Sequence, residues 1–218
     1  MAASLSWRGI AYAGGLSAVA GFVDAVAYVH LGGYFVSFMS GNTTRASSEL
    51  VRGSLTGAGL ALGLVGFFVL GVIVSTLAFR KSERYRLPLV LALSSALLAA
   101  AALTPVLAAE PAAPPLLAMA MGAVNTSYTK NGEVSIGLTY MTGTLVKIGQ
   151  NFALALRTNR HDRWLKYLSL WAMIAIGAVA GASAYHYLGL PSLWAASAAL
   201  VAWTVVAVAR AKRPAVMG

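Results

Sequence analysis

Long apolar runs separated by short polar breaks organise this chain. Six runs approach the roughly 20 apolar residues that a helix needs to cross hydrocarbon. They cover residues 10–30, 56–79, 87–109, 112–129, 167–188 and 191–209. The second run, TGAGLALGLVGFFVLGVIVSTLAF, carries no charge. Glu110-Pro111-Ala112-Ala113-Pro114-Pro115 stops one helix before the fourth run, and Gly189-Leu190-Pro191-Ser192 marks a turn between the last two. Two further segments, 33–50 and 134–156, fit neither a clean span nor a clean loop. The first contains FVSFMSGNTT and meets Arg45 early; the second contains LTYMTGTL and Lys147.

The distribution of basic residues tests how these segments thread. Suppose the two awkward segments each enter and leave on one side. With the N-terminus inside, the cytoplasmic face then receives Arg8, the basic residues of the 80–86 cluster, Lys130, Arg157, Arg160, Arg163, Lys166, Arg210, Lys212 and Arg213. Arg45 and Arg52 remain outside. Threading all eight segments across puts the 80–86 cluster on the wrong side. Positive residues concentrate in cytoplasmic loops, so six spans are expected.

The awkward segments are related. Gly21-Phe22-Val23-Asp24 is echoed by Gly122-Ala123-Val124-Asn125, and Met39-Ser40-Gly41 by Met141-Thr142-Gly143 at nearly the same spacing. The runs from 56 and 87 correspond to those from 167 and 191. Each half therefore reads span, awkward segment, span, span, giving repeat one at about 10–109 and repeat two at about 112–210. Three spans is an odd number, so the second repeat must run inverted. The expected fold is an all-α polytopic membrane protein, one domain over 1–218, with six transmembrane helices in two inverted three-helix repeats. Each repeat would hold a broken or re-entrant segment, a recurrent transporter design.

Composition agrees. Of 218 residues, 59% are hydrophobic and 10% charged, against roughly 25% charged in soluble domains. Mean hydropathy is +0.74. The formal charge of +10 is explained by residues flanking spans, so no nucleic-acid partner is expected; the partners are a small-molecule solute and the lipid bilayer. Ala18-Val19-Ala20 resembles a signal-peptide cleavage site, but the run continues to Val29, and an uncleaved first span is expected. The chain has no Cys. His30, His161 and His186 show no metal-ligand spacing, and six acidic residues make a two-carboxylate catalytic site hard to assemble. No metal, no cofactor and no enzymatic activity are expected.

The candidate site is built from the echoed phrases. Gly41 and Gly143 would permit unwinding, since they lack Cβ. Ser40, Asn42, Thr43, Thr142 and Thr144 would cap the helix that restarts, whose N–H groups attract anions or polar groups. Otherwise these phrases are ordinary loops or close helix packing. Asp24 lies inside the first span, where an ionisable group is costly and is functional by default. It would take up a proton, bind a cation, or pair with Arg45 or Lys147. Its repeat partner Asn125 lacks the charge. Gly14, Ala18, Gly21, Asp24 or Ala25, and Tyr28 share one small, polar stripe expected to look inward. Lys147 either snorkels to the membrane edge or faces the cavity; Tyr28 and Tyr140 line the path or sit at the interface. Gly-x-x-x-Gly patterns fit contacts within the chain or in a homodimer.

GFVDAVAYVHLGGYFVSFMSGNT (21–43) and GAVNTSYTKNGEVSIGLTYMTGTL (122–145) resemble the YoaK family of bacterial inner-membrane proteins. That family looks like Gly-x-x-Asp-Ala, Gly-Gly and Phe-x-x-x-Met-Thr-Gly-Asn in its first half, with a second phrase ending in Thr-Gly-Thr-Leu. Ser40 stands where the family more often shows Thr. The resemblance spans about 10–210. It implies a six-span protein of the bacterial inner membrane, suspected of small-molecule transport, and supplies neither substrate nor site residues. The expected function is secondary transport of a small polar or amphipathic solute, with both termini cytoplasmic and proton coupling through Asp24. A passive channel and a non-transporting membrane scaffold are the alternatives.

Overall fold

The computed structural model describes residues 5–79, 82, 84–130, 133–134, 138–158 and 161–212. Arg80, Lys81, Arg160 and Arg213, counted above toward the cytoplasmic face, lie outside the described residues, as does 135–137 of the second awkward segment. Eight α-helices are described: α1 (Trp7–His30), α2 (Met39–Val51), α3 (Leu55–Ala78), α4 (Arg86–Leu103), α5 (Ala113–Asn125), α6 (Met141–Thr158), α7 (Asp162–Leu188) and α8 (Leu193–Lys212). Short turns of 3₁₀ helix at Glu110–Ala112 and Leu190–Ser192 precede α5 and α8. A two-residue antiparallel ladder pairs Thr129 with Val134 and Lys130 with Glu133 before α6.

Local chemistry sets the helix ends. Ser6 and Ser54 cap α1 and α3 by accepting from the N–H groups of Gly9 and Gly57, each at 3.2 Å. Gly189 adopts φ 63°, a conformation that favours glycine, and ends α7. The run 87–109 stops at Leu103 because Pro105 has no N–H to continue the ladder. The Ala101 carbonyl accepts instead from the Thr104 N–H and hydroxyl, at 3.2 and 2.8 Å.

Five segments are long and apolar enough to cross a membrane: α1, α3, α4, α7 and Leu190–Lys212. The expected span at 112–129 is shorter than the sequence pattern implied. Its helix, α5, has 13 residues. At 1.5 Å per residue it rises only about 20 Å, short of a hydrocarbon core about 30 Å thick. The chain turns at Thr126 and Ser127, whose N–H groups bond Ala123 and Val124.

The backbone also corrects where the awkward segments unwind. Gly41 and Gly143 are not the breaks; both lie in the first turn of a helix, α2 and α6. The irregular backbone precedes them. In the first half it starts at Gly32 and Gly33, with φ of 65° and 101°. The repeated phrase is a helix start.

Packing relates the helices in pairs. α1 lies along α7 and α5 along α3; α2 leans on α3 and α6 on α7; α4 packs against α8. Backbones touch where Cβ is missing. A Cβ on Gly21 would collide with the Ile174 carbonyl, and one on Gly177 with that of Ala18. A Cβ on Gly122 would collide with the Phe68 carbonyl, and one on Gly71 with that of Met119. Small residues let helices approach this closely, which matters where apolar burial gives no driving force between them. The small stripe on α1 is thus its contact with α7. Leu16, Leu91, Leu98, Leu117, Met121, Leu193 and Leu200 are fully buried in the core among α1, α4, α5 and α8. Large apolar side chains point outward: Leu55 is 76% exposed, Val179 69% and Val205 63%. A water-soluble surface does not carry so much of this; lipid accommodates it.

Gly122→Ala is expected to force α5 off α3, at a cost of about 1–3 kcal/mol for overpacking. Thermal unfolding in detergent should register a lowered midpoint. Gly63→Ala adds the same methyl to open space on α3 and, since Ala favours helix over Gly, should not lower the midpoint.

Candidate functional site

The stretch 31–38 joins α1 to α2 without regular structure, so its peptide groups need partners. Side chains supply them. Asp24 Oδ1 accepts from the N–H groups of Val36 and Ser37, at 2.8 and 2.9 Å. The Asn42 amide clasps Phe35 on both sides. Its Oδ1 accepts from the Phe35 N–H at 2.9 Å, and its Nδ2 donates to the Phe35 carbonyl at 2.6 Å. Arg45 Nη1 donates to the Gly33 carbonyl at 2.7 Å, while its guanidinium lies 4.0 Å from the Tyr34 ring centroid. Hydrogen bonds to a charged group contribute roughly 1.5–3 kcal/mol each; Asp24 makes two of them and Arg45 one.

The second half repeats the arrangement without the charge. Asn125 Oδ1 accepts from the Thr139 hydroxyl at 3.1 Å, and its Nδ2 donates to the Met121 carbonyl at 2.9 Å. The Ser17 hydroxyl donates to the Leu138 carbonyl at 3.2 Å. Asp24 and Asn125 therefore perform one task. Each ties the chain leading into a short helix to the helix before it.

Both helix starts open on one cavity of about 480 Å³, lined by residues 37–40 and 139–143 with Phe68. Ser40, Tyr140, Thr142 and Gly143 meet there. Gly41, Asn42, Thr43 and Thr144 do not line it. The expected capping is absent among the described groups: Phe38 occupies the N-cap of α2, with no side-chain cap bond. Thr43 and Thr144 instead donate to the carbonyls four residues back, Met39 at 2.9 Å and Tyr140 at 3.0 Å, as hydroxyls inside helices do. Asn42 is fully buried and engaged with Phe35. The first-turn N–H groups of α2 thus receive no side chain, and the lining side chains are hydroxyls, aromatic rings and thioethers.

Asp24 and Tyr28 line a separate cavity of about 440 Å³ between α1 and α7, with Phe35 and Trp171 among its walls. Asp24 stands directly behind the first cavity, because Ser37, whose N–H it holds, lines that one. Neither anticipated partner reaches Asp24. Arg45 pairs with Glu49 at 3.7 Å, and the Lys147 ammonium lies 5.6 Å from the Tyr167 ring centroid.

Sequence reasoning missed Ser37 and Thr139. Extending the echo upstream finds them: Ser37-Phe38-Met39-Ser40-Gly41 matches Thr139-Tyr140-Met141-Thr142-Gly143, a hydroxyl, an aromatic, Met, a hydroxyl and Gly. Phe68 and Trp171 carry no such signal, because each reaches its cavity from a different helix.

The sequence model of a family described as a protein of unknown function, DUF1275, matches residues 13–206. The chain belongs to this family. A UPF0700 transmembrane protein of Rhizobium meliloti (strain 1021) is 36% identical over 207 residues, covering 91% of this chain and 86% of that relative. No solved structure matches the chain. The family agrees with the YoaK-like resemblance of the paired phrases. Five apolar helices and a transmembrane relative together make this DUF1275 member a multi-pass membrane protein.

Asn42→Ala strips both side-chain partners from the half-buried Phe35 peptide groups. Each unsatisfied group costs about 1–3 kcal/mol. Amide hydrogen exchange should accelerate in 31–38, with the α4–α8 interface still protected. Unchanged exchange at Phe35 would show that the clasp does not hold the loop.

Proposed function

We propose that this protein is a secondary transporter of a small polar or amphipathic solute in a bacterial inner membrane, with both termini cytoplasmic. The observation that carries the reading is that the two copies of one phrase, through residues 37–40 and 139–143, line a single cavity. Transporters built from inverted repeats place their sites where discontinuous helices of the two halves meet.

An inverted two-fold relation between 10–109 and 112–210 is supported by matched contacts. Gly21 on Ile174 and Gly177 on Ala18, in α1 and α7, recur as Gly122 on Phe68 and Gly71 on Met119, in α5 and α3. At the α4–α8 crossing, Ser95 and Ser197 bond reciprocally, each hydroxyl donating to the other's carbonyl at 3.0 Å. A residue and its symmetry mate meet in this way at a two-fold axis. Cytoplasmic termini are supported by basic residues gathered near the chain ends. Lys166 Nζ donates to the Leu5 carbonyl at 2.8 Å, Arg84 Nε donates to the Ala211 carbonyl, and the Arg210 guanidinium lies 4.5 Å from the Tyr12 ring centroid.

Asp24 is the coupling group in this reading. Its carboxylate holds the Ser37 N–H, and Ser37 forms part of the cavity wall. Taking up a proton weakens those two charge-assisted bonds and frees the loop that closes one side of the site. Asn125 cannot change charge, so its half stays fastened. No enzymatic step, metal or cofactor enters this cycle.

Two measurements test the proposal. In proteoliposomes screened against a metabolite panel, solute-dependent proton movement is expected for the wild type. It should vanish in folded Asp24→Asn, while Thr142→Trp, which fills the central cavity, should abolish solute flux. Solute flux without proton movement, unchanged in Asp24→Asn, would make the protein a passive channel or uniporter; no flux in any protein would favour a scaffold. Separately, the native chain has no Cys, so single substitutions report sidedness. Ser82→Cys should react only from the cytoplasmic face and Ala112→Cys only from the opposite face.

A further inference from the structure

The cavity between α1 and α7 has a chemistry that the central cavity lacks. Asp24 lies in its wall, surrounded by Tyr28, Phe35 and Trp171. The Tyr28 and Phe35 rings are 4.9 Å apart between centroids and tilted by 41°. Among the described residues Asp24 forms no ion pair; Arg45, within hydrogen-bond reach of the same loop, is paired with Glu49. A carboxylate at membrane depth calls for a counter-charge, and its described partners, the N–H groups of Val36 and Ser37 and the Ser37 side chain, are all uncharged.

Aromatic rings attract cations through their negative faces, and cages of such rings with one acidic group recognise alkylated ammonium groups. The volume of about 440 Å³ lies within the range of small-molecule pockets, roughly 300–1,000 Å³. It is too large and too apolar to suit a bare inorganic ion. Ile174, Ala175 and Ala178 supply an apolar wall beside the carboxylate. Asp24 is six residues before the end of α1 at His30, roughly 9 Å along the helix at 1.5 Å per residue. A ligand with a charged head and an apolar body reaches that depth from the membrane interface.

We infer that this cavity binds an amphipathic organic monocation, with its ammonium group against Asp24 and its apolar part against Trp171 and the α7 alanines. The inference goes beyond the transport reading, since it concerns occupancy of a second cavity and holds whether or not solute crosses at the first. The corresponding position in the second half, Asn125, has no charge, so one such site exists per chain. The cation is either a free amine or the head of a choline lipid; the chemistry is common to both.

The test is binding rather than flux, so its failure is distinct from failure of the transport reading. Benzyltrimethylammonium would be titrated calorimetrically into the full chain in a maltoside detergent, with neopentylbenzene, its uncharged isostere, as competitor. Saturable binding is expected, at one site per chain, undisturbed by the isostere and weakened at least tenfold in Asp24→Asn. Because Asp24 also fastens the loop, Trp171→Leu serves as a second variant that leaves the Asp24 bonds intact; it should weaken binding about fivefold to tenfold with an unchanged melting temperature. Binding unaffected by both substitutions, equal competition by the isostere, or no saturable binding would overturn the inference. Repeating the titration in phosphatidylcholine and phosphatidylglycerol nanodiscs separates the sources. Suppression only by phosphatidylcholine identifies the lipid head as occupant, and equal binding in both identifies a free amine.

Discussion

Irregular backbone inside a membrane must satisfy its own peptide groups, because lipid offers no hydrogen bonds. The rest of this structure follows from how that requirement is met at 31–38 and before α6. In each half the described chain leading into α2 or α6 is tied by a polar side chain from the helix before it. Asp24 holds Val36 and Ser37; Asn125 holds Thr139. Without these ties the starts of α2 and α6 could not stand at defined positions facing one another. The close glycine contacts of α1 with α7 and of α5 with α3 then fix the frame on which both ties are mounted.

This arrangement separates two jobs that a single residue usually combines. The central cavity is walled by hydroxyls, aromatics and Met side chains, and its shape depends on the loops. The charge that controls one loop lies outside that cavity, in a second one with aromatic walls. Asp24 is connected to the wall of the central cavity through backbone, over two peptide N–H groups, and in the proposed transport reading a proton there acts on that site without touching a solute. The geometry is a short backbone linkage between two cavities.

Much of this was legible from residue patterns, and the failures have physical causes. The long apolar runs mark α1, α3, α4, α7 and α8 because helices facing lipid are hydrophobic nearly all round. The run at 112–129 holds a helix shorter than the run, because hydropathy counts apolar residues and does not see Thr126 and Ser127 turning the chain. Gly41 and Gly143 invited an unwound reading because glycine permits it. The actual unwinding uses Gly32 and Gly33, and it needs positive φ there rather than mere absence of Cβ. Asn42 and the threonines looked like caps by residue type; but a cap needs its side chain aimed at the first turn. Asn42 is drawn away by the Phe35 peptide, and the hydroxyls by carbonyls of their own helix. Asp24 was legible because burying a carboxylate in an apolar run is expensive and so rarely accidental. Phe68 and Trp171 were not, because an aromatic in an apolar helix looks the same whether it faces lipid or a cavity.

The difference between Asp24 and Asn125 shows why near-symmetry is useful here. Two identical carboxylates would fasten both loops and release both on protonation, losing the fixed wall against which the other moves. Two asparagines would hold both loops at every pH. In the transport reading, one of each gives a frame with one anchored and one releasable side. The distribution of the remaining contacts follows the same division. The loop held by Asp24 is buttressed by further polar ties, the Asn42 clasp and the Arg45 bond to Gly33, which in the transport reading limit its travel. A loop held by Asp24 alone would collapse on protonation; a loop held by three ties yields at one and keeps its course. In the transport reading the path of 31–38 is the fixed element, and the charge at Asp24 sets only where along that path it rests.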